Sequence, residues 1–172
     1  MELNPPYLSN SCRIYGNHKI IKSKFCFMKI IVLEGNSSRG KTNTIWKLRE
    51  KLVNAGHPPV PNTFIRHGPH NFIDDFEEII TVVNQKVAII SMGDYSTILA
   101  KRIHYYGSIG CDVLVCTLSN GSPKTYSPKK NARKAINLYN PVMPFTPKTL
   151  DFNESSQGHT NSSDAALLIG LI

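Results

Sequence analysis

Residues 35 to 42 read Gly-Asn-Ser-Ser-Arg-Gly-Lys-Thr: two glycines with four residues between them, then at once a lysine and a hydroxyl. This G-x-x-x-x-G-K-[ST] spacing suits one chemistry, the gripping of phosphate. Gly35 and Gly40 let the backbone approach a phosphate that a side chain would hold off. Across Asn36, Ser37, Ser38, Arg39 and Gly40 successive N–H groups form an anion nest, and a helix starting behind them adds its positive end. Lys41 then reaches terminal phosphates, the Thr42 hydroxyl coordinates Mg²⁺, and Asn43 closes the segment. By accident, a chain of 172 residues would spell the pattern on the order of once in a hundred.

The chemistry requires a strand before the loop and a helix after it. Lys29 to Glu34 is a β-branched apolar run of strand length. Lys41 to about Ala55 carries Ile45, Leu48, Leu52 and Ala55 at helical spacing, ended by Gly56 and His-Pro-Pro-Val-Pro. A short strand is expected at Thr63 to Arg66. The runs Glu77–Val83 and Lys86–Ser91 are expected as a hairpin turning at Asn84-Gln85. Tyr95 to Tyr106 reads as a helix with Ile98, Leu99 and Ile103 inward and Gly107 as its stop. Cys111 to Leu118 reads as a buried strand. Ser127-Pro128 opens a helix with Ala132, Ala135, Ile136 and Tyr139 on one face. Pro141 to about Asn161 is rich in Pro, Ser and Asn and reads as loop, ahead of a short terminal helix. Apolar strands alternating with helices predict a three-layer α/β domain whose mainly parallel sheet is covered on both faces. The folded unit is expected over 28–140. Residues 1–27 are expected to be an arm or the product of a misassigned start, and 141–172 a loop-rich tail.

Through Gly35–Thr42 the sequence resembles the P-loop NTPase superfamily. More loosely, Met28–Thr42, Lys86–Tyr95 and Gly110–Cys116 look like small, poorly characterised bacterial P-loop ATPases. The resemblance covers about Met28 to Thr117 and implies a P-loop NTPase-like fold and a Mg-nucleoside triphosphate ligand. The superfamily pattern also implies an aspartate directly after four apolar strand residues. Here Val87–Ile90 is followed by Ser91, and the acid comes later, as Asp94. Asp94 is the candidate for the base and metal partner beside Thr42, with a helix N-cap ahead of Tyr95 as its competing role. Asp74, Asp75, Glu77 and Glu78 are expected to be a solvated face. Lys124, Lys129, Lys130, Arg133 and Lys134 are candidates for a phosphate lid or a plain basic face. His67 and His70 read as loop residues, and Arg66 as a strand-end residue within reach of phosphate.

Composition sets the outer bounds. Twenty basic against 12 acidic residues give a net charge of +8, which favours polyanionic partners without choosing among them. No apolar run is long enough to span a bilayer. Cys12, Cys26, Cys111 and Cys116 form no C-x-x-C pair, which predicts a reducing, cytoplasmic setting. The expected function is binding and hydrolysis of a nucleoside triphosphate, partner-stimulated and catalysed by Lys41 and Asp94. ATP is expected because the guanine-reading N-K-x-D is lacking. A small kinase is one alternative. A nucleotide-sensing or nucleic-acid-associated module without turnover is the other, disfavoured by the lack of a basic motif interleaved with aromatics.

Overall fold

The structure, a computed structural model, describes residues 28–36, 40–67, 75–120, 129–149 and 154–172. Its centre is β1 (Lys29–Gly35), in which Ile30 and Val32 point to one face, Ile31 and Leu33 to the other, and all four are buried. A strand apolar on both faces needs helices on both. α2 (Ser96–Ser108) and α3 (Lys129–Ile136) cover the first face through Leu99, Ile103, Ala132 and Ile136. α1 (Lys41–Asn54) and α4 (Glu154–Gly170) cover the second through Ile45, Leu48, Leu52, Ala165 and Leu168. The chain is thus α/β, in three layers.

The seven-stranded sheet is mixed, in the order β2-β3-β4-β5-β1-β6. β4 (Gln85–Ile90), β5 (Val113–Ser119) and β1 are parallel neighbours. β6 (Asn140–Pro141) and β7 (Thr146–Pro147) follow one another along the far side of β1, also parallel. Their prolines sit at a sheet edge, where a missing donor is tolerated. β2 (Ile65–His67) and β3 (Asp75–Val82) add two antiparallel strands on the other side.

The β3–β4 hairpin forms as expected, but its turn is Val83-Asn84, because Val82 pairs with Gln85. Both turn residues have positive φ, 45° and 67°, as a two-residue turn matched to strand twist demands. In α2 the inward stripe is Ser96, Leu99, Ile103 and Tyr106, so Ile98, expected inward, is exposed instead. Gly107 lies inside that helix, where a Cβ would stand 2.5 Å from the Tyr139 hydroxyl; Gly110, at φ +76°, marks the end. The largest departure is Pro141 to Asn161. Expected as loop, it holds β6, β7 and the first half of α4, whose buried side packs on α1. Gln157 and Asn161 of α4 stand beside Gly40 rather than in the core. Cys111 and Cys116 are free buried thiols, and burial pushes their pKa values up to about 11 and about 12. Among the described residues no helix is long and apolar enough to cross a membrane.

Candidate functional site

β1 ends at Gly35 and α1 begins at Lys41, so the glycine-bounded segment joins a strand to a helix N-terminus. Ser37, Ser38 and Arg39 lie outside the described residues. Gly40 has φ +75°, and a Cβ there would stand 2.8 Å from Gln157 Nε2 and 3.1 Å from Asn161 Oδ1. The left-handed conformation is what favours glycine here, since the two amide ends could shift aside. Lys41 is only 6% exposed and donates from Nζ to the Asn36 carbonyl at 2.6 Å. Burial holds its ammonium below the usual lysine value, opposed by the charges of Asp94 and then Asp75.

The Thr42 hydroxyl donates to Asp75 Oδ1 at 2.7 Å, and the Ser91 hydroxyl donates to the same oxygen at 2.9 Å. Ser91 Oγ in turn accepts from the Phe76 N–H at 2.8 Å. Ser91 thus occupies the strand-end position where the superfamily pattern implies an aspartate. The carboxylate arrives instead from β3, the antiparallel neighbour.

The acidic run is therefore not a solvated face. β3 has a neighbour on each side and lies between packed layers, so its acids must be paired. Glu77 is fully buried, against Arg102 at 2.7 Å and His67 at 3.3 Å; Glu78 is nearly so, against Arg49 at 2.6 Å. Beside Glu77 the Tyr106 phenol is pushed up in pKa, first by burial and then by that carboxylate's charge. Asp74 lies outside the described residues.

Asp94 accepts a short hydrogen bond from the Ser119 hydroxyl. Capping is not its role: the N-cap of α2 is Tyr95, with no side-chain cap bond. With Gly40, Lys41, Thr42, Asn43, Asp75, Ser91, Gly93 and Gln157 of α4, Asp94 lines an open cavity of about 320 Å³.

The chain matches no protein-family model, no curated protein and no solved structure. Function has to be read from the residues themselves.

Hydroxyl and carboxylate oxygens are hard donors that suit Mg²⁺, which is held by one or two carboxylates and completed by substrate phosphates. Among the described residues no three His, Cys, Asp or Glu side chains converge as a metal cage. Among the described residues, Lys130, Arg133 and Lys134 do not line the cavity. α3 packs on α2, with the Ala132 N–H donating to Ser96 Oγ at 3.0 Å, and Arg133 pairs with Glu34. Lys130 and Lys134 are exposed. Lys124, His70 and the Lys129 side chain lie outside the described residues. Arg66 is exposed on β2 and does not line the cavity.

Asp75, Ser91 and Gln157 were missed as site residues. Asp75 had a readable signal, because continuing the hairpin register carries it to the Ser91 end of β4. Gln157 had none.

Proposed function

We propose that this chain is a P-loop ATPase that binds Mg-ATP at residues 35–43 and hydrolyses it. The observation that supports this best is the Thr42–Asp75 hydrogen bond of 2.7 Å beside the buried Lys41. A hydroxyl and a carboxylate that share a hydrogen bond without metal are placed to share a cation with it.

The ammonium of Lys41 meets the terminal phosphates as a largely desolvated charge, where its attraction is stronger than in water. On ligand binding it exchanges the Asn36 carbonyl for phosphate oxygens, and the backbone of Gly40 and Lys41 supplies donors at the helix start. When bound, Mg²⁺ polarises phosphate oxygens, and Thr42 and Asp75 are the residues that would hold it. Ser91 orients Asp75 through its hydroxyl. Asp94, steadied by Ser119, faces Lys41 across the cavity and takes the proton of the attacking water.

The test compares wild type with Lys41→Ala. Mg-ATP at about 100 times Kd should stabilise the wild type by about 2.7 kcal/mol, visible as a rise in Tm. The variant should show neither that rise nor phosphate release. A wild type that does not respond, or an equal response in both, removes the proposal.

A further inference from the structure

Several donors that line the cavity are already committed. The hydroxyls of Thr42 and Ser91 both donate to Asp75, and Lys41 donates to the Asn36 carbonyl. Two carboxamides also line it, Asn43 on the first turn of α1 and Gln157 on α4. Asn43 belongs to the phosphate segment by sequence. Gln157 comes from the last helix of the chain, and its side chain has no hydrogen-bond partner among the described residues.

The helix that carries Gln157 is held against both glycines of that segment. Gln157 Nε2 lies 2.8 Å from where a Gly40 Cβ would stand, so the carboxamide packs directly on the second glycine. One helical turn on, along the same side of α4, buried Asn161 accepts from the Thr44 hydroxyl at 3.2 Å. That hydroxyl is equally close to the Gly40 carbonyl, at 3.2 Å. Further along α4, Asp164 accepts from Lys148 Nζ at 2.7 Å. Lys148 Cβ in turn stands 2.8 Å from where a Gly35 Cβ would be. An amide on so fixed a support meets a ligand there with little further ordering of the backbone.

Resting on the ATPase reading, we infer that Gln157 donates a hydrogen bond to the bound polyphosphate. Ionised phosphate oxygens only accept, and a carboxamide carries two N–H donors. Rotation about its last bond exchanges oxygen for nitrogen, so the amino group can follow the acceptor. Gly40 places no side chain between the two. The contact reads phosphate and is blind to the nucleoside.

The experiment titrates Mg-ATP and Mg-tripolyphosphate into wild type, Gln157→Met and Gln157→Glu. Met keeps the length of the side chain and removes its donors; Glu keeps the length and sets a negative charge against the phosphate. Gln157 is only half-buried, so Tm without ligand should stay near the wild-type value in both. Met should weaken ATP and tripolyphosphate alike by about tenfold or more, the loss of one hydrogen bond to a charged group, and Glu should weaken both further. A folded Met variant that binds tripolyphosphate within about twofold of wild type overturns the assignment and leaves the phosphate site standing. So does a loss confined to ATP, or a Glu variant that binds as wild type does. If wild type binds neither tripolyphosphate nor ATP, the ATPase reading falls and this inference with it.

Discussion

Asp75→Asn removes one charge and leaves nearly every atom in place. In the native chain one carboxylate oxygen accepts from Thr42 at 2.7 Å and from Ser91 at 2.9 Å; the asparagine carbonyl can still accept both. Hydrogen bonds to a charged partner contribute about 1.5–3 kcal/mol, against about 0.5–1.5 for neutral ones. The ligand-free variant should therefore lose about 2 kcal/mol, a fall in Tm of roughly 4–8 °C for a chain of this size. The larger effect is on the cation. ATP affinity is measured in excess Mg²⁺ and again in chelator, for both proteins. Wild type should gain about tenfold or more from the metal, about 1.4 kcal/mol in binding free energy. In the variant the two affinities should converge. A folded Asp75→Asn protein that keeps the full magnesium dependence would refute the assignment of Asp75 as cation partner.

Two further predictions concern the frame. Val83 holds a left-handed turn position at φ 45° with its side chain 79% exposed, so Val83→Asn should raise stability by about 1 kcal/mol in urea unfolding; a loss of stability would show that the turn is held by something else. Lys148 and Asp164 form a buried ion pair, so Asp164→Ala should cost about 3–5 kcal/mol by leaving a buried ammonium unpaired, whereas Lys148→Met with Asp164→Leu should cost less. Equal losses from the single and double variants would contradict that account.

Most of the frame was legible because periodicity reports burial directly. β1, α1, the hairpin and β5 each carry an unbroken pattern. The acidic partner was harder, because a carboxylate is identified by what lies across from it and not by its neighbours in sequence. Four acids in five residues of a row read as a wet surface, yet Asp75, Glu77 and Glu78 run along a strand with a neighbour on each side and find Thr42, Arg49, Ser91 and Arg102 from other elements. α4 was hidden for a different reason. Its first turns are written in Ser, Gln, Gly, His and Asn, and only its last turns carry the apolar pattern that a scan can register.

The sheet order has a consequence for how the site comes into being. Lys29 of β1 pairs with Val113 on one side and Asn140 on the other, so both ladders that hold β1 join distant parts of the chain. The β3–β4 hairpin, by contrast, closes through a two-residue turn. Local hairpins form in about microseconds, whereas closures of high sequence separation are slow. The junction of β1 with α1 is thus assembled late, after the chain beyond β5 has taken its place. Recovery of nucleotide affinity during refolding should therefore follow completion of the sheet, while the hairpin that carries Asp75 stands ready long before.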